Sequence, residues 1–509
     1  MQIIGCSNTE KMWRCVLFVT VALAGLTFWL AAYPPMNDLP QHAGQIAVLR
    51  DLLLGRSSWV DIVHVNLLTP YLIGYGLALP LSFFVPVVVA LKVLLTVSFY
   101  AFFIACVWLR KEVGGDAQLD WMFIPGVLGF VCKWGFFTFI VAAPVGVFFL
   151  VYALRYATDT GARASIFLFL AGVALFFSHG LLFLMCCAIG FLFLIVRQRS
   201  IGVVALRAWP YFLLAMLSGA YFVIGRVTDS VEVVPDFADF YGGWGWGRFS
   251  EFLVFPWGDG SDGDIFMPLS ILMFLAPFML RRRLNTENSI VFVPIFVVVA
   301  IWILVPSVAI KTSILYQRFS LFIFPFYALI FRTPSLADSP HGLKLERYGP
   351  LIMLLACWSF LFIHAQRQLD FARESLGIQK LLSSMEPDQR ALSLVVSGFS
   401  PAANNGFVYK HYPLWYQAER GGWVDMNFAW FPPQIVRFKK TALPKVKIGF
   451  DLVPWKFNWH DHDGRIYKYF IARSFTALPA NLLQNDECKT QLLERSGAWY
   501  LFERVSCGR

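Results

Sequence analysis

Long apolar runs recur along most of the chain, and they constrain its fold more than any other feature. They centre near residues 15–32, 67–84, 86–109, 121–133, 138–154, 165–179, 181–196, 209–225, 265–280, 290–307, 314–331 and 349–364. A bilayer core about 30 Å thick is crossed by roughly 20 apolar residues in a helix. Because lipid offers no hydrogen-bond partners, helices are the default spanning elements. We therefore predict a polytopic α-helical membrane protein with about eleven or twelve transmembrane helices.

The composition agrees with this prediction and excludes one class of function. The 509 residues are 58% hydrophobic and only 15% charged, which is far more apolar than an ordinary soluble domain. The sequence contains no recognised nucleic-acid-binding module and no basic stripe. We therefore expect membrane lipids, and no nucleic acid, among the partners of the protein.

Basic residues beside the apolar runs predict the orientation of the chain in the membrane. Lys11 and Arg14 precede the first run, which indicates a retained first helix with a cytoplasmic start. Three further basic segments are predicted to be cytoplasmic: 197–200, 281–283 and 332–347. Counting crossings between them places the loop 226–264 and the tail after residue 366 on the outside.

The same count places the first loop, residues 33–66, outside as well. An odd number of crossings must then separate it from the cytoplasmic segment at residue 197, but the number of apolar runs between them is even. Two alternatives remain open. Either 67–84 is a re-entrant segment that never crosses, or a pair of the short runs between 121 and 196 forms a single crossing. The choice decides which face carries Asp116 and Asp120.

The sequence changes character at about residue 366, where charged residues become frequent. The tail 366–509 holds 19 Lys and Arg against 13 Asp and Glu, a balance of +6 that is the larger part of the +10 of the whole chain. A positive balance suits a neighbour rich in phosphate or anionic lipid. Three β-like runs are separated by Gly and Pro: ALSLVVSG, KVKIGFDLV and RIYKYFIAR.

These features predict two domains. Residues 1–365 form a transmembrane domain, and 366–509 form a soluble extracytoplasmic α/β domain of roughly 140 residues, which is enough for its own core. Cys488 and Cys507 both lie in the tail. Outside the cytoplasm they could form a disulfide, and the sequence leaves this open.

A short polar stretch after the first apolar run carries the residues of most chemical interest. It reads YPPMNDLPQHAGQIAVLRDLL over residues 33–53. A helix that begins after Asp38, with Pro40 in its first turn, would gather apolar residues on one side and could lie flat on the membrane surface. Asp38 and His42 are four residues apart, so they would be neighbours able to act on one substrate. The alternative is that Asp38 only caps the helix and His42 is a solvated surface residue.

The order of these features resembles the GT-C superfamily of integral membrane glycosyltransferases. The chain has a first helix with a cytoplasmic start, an outer loop that contains an acid in the motif DLPQH, many further helices and an extracytoplasmic C-terminal domain. The resemblance covers the architecture of nearly the whole chain. Its content at the level of residues is one aspartate, Asp38, with His42 nearby.

The resemblance implies a reaction at the outer face of the bacterial inner membrane. A sugar would pass from a polyprenyl-phosphate donor to a saccharide, lipid or protein acceptor. In this family the acid of the first outer loop acts as general base or orients the acceptor, and the matching position here is Asp38. Such a carboxylate must reach the acceptor hydroxyl, while the phosphate leaving group needs donors or a metal against its charge. A divalent cation, Mg²⁺ or Mn²⁺, is therefore left open as a cofactor.

Three further residues are candidates for binding the substrates. Arg318, in LYQRFSLFIFPF, stands at the start of a late helix, where its guanidinium could grip a phosphate or anchor the helix at the headgroups. His179, in LFFSHGLL, joins two short runs and is either a substrate contact or a structural hydrogen bond between helices. Lys133, in CKWGFFTF, either faces a lipid-phosphate pocket or snorkels to the membrane surface.

Several acidic and histidine residues are candidate metal ligands or solvated loops. They are Asp259, Asp262 and Asp264 in PWGDGSDGD, Asp116 and Asp120, and residues 460–463 in NWHDHDGR. The complete calcium-loop pattern is missing, and the histidines of NWHDHDGR lack an identifiable third ligand. In some GT-C enzymes a second outer acid helps to bind metal, which Asp116 and Asp120 fit only if their loop is outside. We predict no metal site and interpret the first and last groups as surface loops.

Two other classes of function fit a similar architecture. A transporter or flippase of a lipid-linked saccharide would need ionisable residues along a path through the membrane, and few charges lie inside the apolar runs. A non-catalytic scaffold for envelope assembly would tolerate change at Asp38. The glycosyltransferase is the function that we predict, and these two are its alternatives.

Overall fold

The computed structural model describes residues 8–228, 245–309, 312–333, 349–479 and 481–507. The predicted loop 226–264 and the predicted basic segment 332–347 therefore lie partly outside the described residues. α-Helices occupy Asn8–Leu26 (α1), Leu39–Leu53 (α2), Leu72–Ser82 (α3), Val87–Val113 (α4), Pro125–Leu128 (α5), Phe130–Trp134 (α6), Phe137–Thr158 (α7), Ala162–Ser178 (α8), Gly180–Gln198 (α9), Ile201–Arg207 (α10), Trp209–Thr228 (α11), Gly247–Val254 (α12), Gly263–Met279 (α13), Val293–Leu304 (α14), Ile323–Leu329 (α15), Gly349–Glu374 (α16), Leu376–Ser383 (α17) and Leu414–Arg420 (α18).

The helical part is a bundle of apolar helices suited to a membrane. Within the described ranges, six helices are long and apolar enough to cross a bilayer, and the bent pair α10 and α11 makes a seventh if it is one span. A polytopic helical protein embedded in a membrane is thus supported, and by length and composition alone six or seven of the predicted eleven or twelve spanning helices qualify in the described residues.

The other predicted spans are apolar runs that fold into short helices. α3, α8 and the segment 289–304 are apolar helices of 10–17 residues. The runs near 121–133 and 314–331 form short α-helices and 3₁₀-helices instead. Most of their side chains are buried against other parts of the protein, and a helix in that position need not match the thickness of a bilayer.

Polar contacts join helix ends at one end of the bundle, which we call the Asp38 end. The Lys92 ammonium at the start of α4 donates to the carbonyl of Ala31, just after α1 (2.5 Å). Lys133 at the end of α6 lies 3.0 Å from the carboxylate of Asp262, just before α13. The loop that carries Asp38 follows α1 and contacts the end of α6, so it lies at the same end.

A second set of contacts joins the opposite end, which we call the Arg282 end. Arg110, in the last turn of α4, donates two hydrogen bonds to the carboxylate of Asp120 in a bidentate arrangement (2.9 and 2.8 Å). The Arg282 guanidinium lies 2.8 Å from the carboxylate of Asp116. Gln198, at the last turn of α9, donates to a carbonyl at the end of α7 (2.7 Å). The basic segments 197–200 and 281–283 therefore lie at the end of the bundle away from Asp38.

The short helix α3 begins and ends at the Asp38 end. Just before it, the Thr69 hydroxyl donates to the carbonyl of Pro433 in the tail. At its last residue, the carbonyl of Ser82 accepts from Arg50 in α2 (3.3 Å). The segment 67–84 therefore does not cross the bundle, which is the first of the two alternatives.

Without that segment, the number of crossings between the first loop and residue 197 is odd, as the predicted orientation requires. The chain passes from the Asp38 end through α4, returns through the short helices that end at Trp134, and then crosses in α7, α8 and α9. Asp116 and Asp120 consequently lie with the basic segments and not with Asp38.

The tail carries most of the β-structure. Strands occupy Val63–Val65 (β1), Arg283–Leu284 (β2), Val308–Ala309 (β3), Thr312–Ser313 (β4), Phe331–Arg332 (β5), Arg390–Val395 (β6), Trp423–Val424 (β7), Val436–Phe438 (β8), Tyr469–Arg473 (β9), Cys488–Ser496 (β10) and Trp499–Cys507 (β11). Five of them form a sheet in the order β10-β11-β9-β6-β7. β6 is parallel to β7 and β9, whereas β11 is antiparallel to β9 and β10. Cys488 and Cys507 are joined by a disulfide across β10 and β11.

The tail is packed onto the Asp38 end of the bundle. One hydrophobic core contains bundle residues such as Phe139 together with Tyr409, Tyr412 and Trp415 of the tail, while a smaller core lies under the sheet. β1, in the first loop, pairs with β8 in the tail. α16 continues without a break from Gly349 to Glu374, so the boundary predicted at residue 365 falls inside a helix.

Candidate functional site

Asp38 is positioned by a loop that follows α1 and packs against the end of α6. Its backbone N–H donates to the carbonyl of Trp134 (3.0 Å), and the N–H of Asn37 donates to the carbonyl of Lys133 (3.2 Å). Asp38 stands at the position before the first residue of α2, yet its side chain makes no capping hydrogen bond. The predicted alternative, in which Asp38 serves only as a helix cap, therefore does not describe this carboxylate.

Gly135 allows the Asp38 loop to approach the end of α6 this closely. It has a φ of +76°, and a Cβ at this position would lie 2.7 Å from the backbone nitrogen of Asp38 and 2.9 Å from that of Leu39. Real Cβ atoms do not approach backbone atoms so closely, and neither backbone segment can move without shifting the carboxylate.

We expect Gly135→Ala to destabilise the protein by about 2 kcal/mol more than Gly114→Ala does. Both glycines have positive φ, but a Cβ at Gly114 meets nothing within 4 Å. Gly114→Ala is therefore a control that introduces the same backbone strain without a steric clash. The measurement is the thermal unfolding midpoint in detergent at one scan rate, where the difference is about 2 °C for a chain of this length. Equal midpoints would contradict the close approach.

The Asp38 carboxylate is held by a histidine from the tail. His411 Nδ1 lies 3.0 Å from Oδ1 of Asp38, and His411 Nε2 lies 3.7 Å from Oδ2 of Asp451. The side chains are 17% exposed for Asp38, 18% for His411 and 14% for Asp451. The imidazole thus bridges two carboxylates that remain within reach of a small molecule from solution.

The two carboxylates favour the charged form of His411. Burial by itself lowers the pKa of an imidazole, but the hydrogen bonds and negative charges of Asp38 and Asp451 outweigh it and raise the pKa of His411 to about 9. At neutral pH both ring nitrogens therefore carry protons, and Nδ1 donates to Asp38.

The backbone around His411 is fixed on both sides. Lys410 donates to the carbonyls of Val395 (3.3 Å) and Asp451 (2.8 Å). The rings of Tyr409 and Tyr412 are fully buried in the shared core, and the Tyr412 hydroxyl donates to the carbonyl of Tyr33. The position of the imidazole is therefore set by the packing of the tail on the bundle.

His42 lies close to this bridge but is buried. Its Nδ1 is 2.8 Å from the hydroxyl of Tyr75, which donates to Oε1 of Gln434 (2.5 Å). Only 4% of His42 is exposed, and burial, with the positive charges of Arg318 and His411, lowers its pKa to about 3. The residues of α2 from Leu39 to Leu49 are all buried, so α2 is an internal helix and not the surface helix that the sequence suggests.

His179 and Arg318 lie in the same region, further inside the bundle. The His179 ring contacts the rings of Tyr71 and Phe139, with centroids 5.1 and 5.0 Å away. It is 1% exposed, and neither nitrogen has a hydrogen-bond partner among the described residues. Arg318 donates to the carbonyls of Ile314 (2.9 Å) and Ser313 (3.2 Å). The structure therefore does not show His179 in the hydrogen bond between helices that was one of the two predicted alternatives.

Lys133 belongs to an ion-pair cluster beside the Asp38 loop. Its ammonium lies 2.8 Å from Asp259 and 3.0 Å from Asp262. Asp262 also lies 2.9 Å from Arg367 of α16 and accepts from Asn404 of the tail (2.8 Å). Lys133 is thus neutralised by carboxylates and does not snorkel. In PWGDGSDGD, Asp259 and Asp262 are paired and not solvated as the sequence suggests, whereas Asp264 is exposed.

The other candidate metal ligands are also accounted for by cations or solvent. Asp116 and Asp120 pair with arginines at the Arg282 end. His460 is 60% exposed, near Asp486 and Glu487 on the surface of the tail. Within the described parts of the chain, no group of three or more His, Cys, Asp or Glu side chains is arranged to hold a metal ion.

A cavity of about 530 Å³ lies at the Asp38 end. Aromatic rings and polar side chains alternate on its wall: Asn37, Phe130, Trp134, Arg248, Glu251, Phe255, Asp259, Tyr316, Gln317, Asn405 and Phe407. Asn37 and Gln317, the chain neighbours of Asp38 and Arg318, belong to the wall, whereas Asp38 and Arg318 themselves do not line the cavity. Flat rings next to amide and carboxylate groups can bind a sugar by stacking and hydrogen bonding.

The arrangement brings four predicted residues into one region and adds two that the sequence did not indicate. Asp38, His42, His179 and Arg318 lie together, with Lys133 next to them in the ion-pair cluster. His411 and Asp451 were missed, although His411 begins the aromatic stretch HYPLWYQAERGGWVDMNF. Comparison with protein-family models and with curated proteins gives no match for this chain.

Proposed function

We propose that this chain is a membrane glycosyltransferase of GT-C architecture, which transfers a sugar from a polyprenyl-phosphate donor to an acceptor at one membrane face. The observation that supports the proposal is the Asp38 carboxylate. It stands at the end of an apolar bundle, is partly exposed, and receives a hydrogen bond from His411 at 3.0 Å. Its chain neighbour Asn37 lines a cavity of about 530 Å³. A carboxylate in this setting can take the proton of an acceptor hydroxyl.

In the proposed reaction the acceptor hydroxyl lies against Oδ2 of Asp38. Its oxygen attacks the anomeric carbon of the donor sugar while its proton passes to the carboxylate. The bond from the anomeric carbon to the phosphate oxygen breaks, and the electron pair leaves on the polyprenyl phosphate. Attack from the side opposite the phosphate inverts the anomeric carbon, and the proton on Asp38 is later lost to water.

Cationic side chains near the cavity suit a phosphate that gains charge as the sugar leaves. Arg248 lies on the cavity wall and is stacked on Tyr316, with its guanidinium carbon 4.2 Å from the ring centre. Arg318 follows Gln317, another residue of the wall. We assign the phosphate to this side of the cavity. A Mg²⁺ or Mn²⁺ ion on the phosphate remains an expectation of the family resemblance, and no step is assigned to it.

We assign the Asp38 end and the tail to the outside of a bacterial inner membrane. The basic segments 197–200 and 281–283 lie at the opposite end, and short basic loops favour the cytoplasm. The disulfide of the tail suits an oxidising compartment. A saccharide, lipid or protein acceptor would then reach Asp38 from the outer side, while the polyprenyl chain stays in lipid.

The test uses the full chain in proteoliposomes with undecaprenyl phosphate that carries glucose, galactose, mannose or arabinose, and native membrane extract as the source of acceptor. We expect release of undecaprenyl phosphate and a new glycosidic bond with at least one of the four donors. Movement of the lipid-linked sugar across the bilayer without a new bond would favour the flippase. Neither release nor movement with any donor would favour the scaffold.

A further inference from the structure

The bridge between Asp38 and Asp451 gives the tail a place in the proposed reaction. We infer that His411 is the positioning residue for Asp38: it binds one carboxylate oxygen and leaves the other for the acceptor hydroxyl. This inference rests on the proposed function, because a positioning role has meaning only if Asp38 reacts.

The contacts of the carboxylate support this division of its two oxygens. Oδ1 of Asp38 accepts from His411 Nδ1 at 3.0 Å. Among the described residues, Oδ2 has no hydrogen bond, and the side chain gives none to the start of α2. A carboxylate free to turn would spread over several rotamers, whereas one bound through Oδ1 keeps Oδ2 in a single direction.

The second carboxylate fixes the histidine itself. Asp451 lies 3.7 Å from Nε2, and the ring edge faces Phe428 with centroids 6.5 Å apart. The charged or titratable groups around the ring are Asp38 and His42 from α2, and Asp451 with its neighbour Lys410 from the tail. The two carboxylates favour the charged ring, which donates from Nδ1 to Asp38 and forms an ion pair with Asp451 through Nε2.

Two amide substitutions separate the two contacts. The amide nitrogen of Asn can occupy the place of Nδ1, so His411→Asn retains the donor to Asp38 and loses the one to Asp451. The longer Gln places its amide near Nε2, so His411→Gln retains the donor to Asp451 and loses the one to Asp38. His411→Leu removes both and keeps an apolar side chain of similar bulk.

We expect His411→Gln and His411→Leu to lower kcat about 100-fold with little change in KM for the lipid-linked donor, because a misdirected base costs about that factor. His411→Asn should stay within about 10-fold of wild type, because the contact to Asp38 is kept. The kcat of the wild type should also fall above pH 9, whereas His411→Asn has no titrating group there. Equal losses in the Asn and Gln variants, or a Leu variant within twofold of wild type, would overturn the positioning role.

A stability measurement tests the bridge without relying on activity. The folded-state pKa of His411, about 9, lies above the ordinary value of 6.5, so the stabilisation is complete below pH 6.5 and is lost as the pH rises through 9. Between pH 7 and pH 10 the unfolding midpoint of the wild type should fall by about 3 °C more than that of His411→Asn. Parallel curves would disprove the bridge. If the wild type shows this difference but no transfer, the bridge stands and the proposed function fails, together with the role assigned to His411.

Discussion

Asp38→Asn should lower transfer by about a thousandfold while the protein still inserts and folds. The amide is nearly the same size as the carboxylate, and its oxygen can still accept from His411, so the loop at the end of α6 keeps its contacts. The amide cannot take a proton from the acceptor hydroxyl, and loss of a general base costs roughly 10²- to 10⁴-fold in rate. The measurement is release of undecaprenyl phosphate from the sugar donor that the wild type uses.

Asp61→Asn is the matched control for this substitution. Asp61 lies in the same first loop and is exposed, so its change removes the same charge without touching the site. Its transfer rate should stay within a factor of two of the wild type. Full activity in Asp38→Asn would remove the central claim of the proposed mechanism. Loss in both variants would show that the negative charge of the loop matters and not the position of one acid.

Asp262→Asn should be the most destabilising single change in the ion-pair cluster. The Asp262 side chain is fully buried between Lys133 and Arg367. Without its charge, Lys133 keeps Asp259 at 2.8 Å, but Arg367 loses its carboxylate partner. Removing one partner of a buried ion pair costs about 3 kcal/mol, which corresponds to a drop of about 3 °C in the unfolding midpoint of a chain of this length.

Asp264→Asn, two residues further on, makes the same chemical change at an exposed aspartate. We expect its midpoint to stay within about 0.5 °C of the wild type, because exposed charges contribute little to stability. Adding Lys133→Gln to Asp262→Asn should cost less than the sum of the two single changes, since the ammonium then no longer faces an uncharged partner. Additive costs would indicate that the two side chains act independently.

The sequence is informative about the bundle where helices are long. α4 and α7 are continuous apolar helices, and their length and composition are sufficient to predict them. The run 314–331 is equally apolar but contains the 3₁₀-helix Tyr316–Phe322 before α15. Hydropathy does not distinguish a segment that lies in lipid from one that is covered by protein, so it does not predict which apolar runs form long helices and which form short ones.

The site could be predicted only in part, because some of its contacts join residues that are far apart in the sequence. Asp38 is conspicuous because an acid before Leu and Pro follows directly after an apolar helix. His411 is not, because its contact to Asp38 spans 373 residues of sequence and depends on how the tail packs. Asp451 lies in KVKIGFDLV, which has the composition of a strand. Gly449 adopts a φ of +89° there, and the next residues form a 3₁₀-helix that turns Asp451 toward the imidazole.

The separation of Asp38 and His411 along the chain also sets the order in which the two sides of the proposed site are assembled. α1 and the first loop are synthesised well before His411, which follows α16 in the chain. Until the tail has been synthesised and packed against α2, the carboxylate stands without its imidazole. If the proposed function holds, a nascent bundle that has already entered the bilayer would transfer sugar far more slowly than the chain whose tail has packed against it.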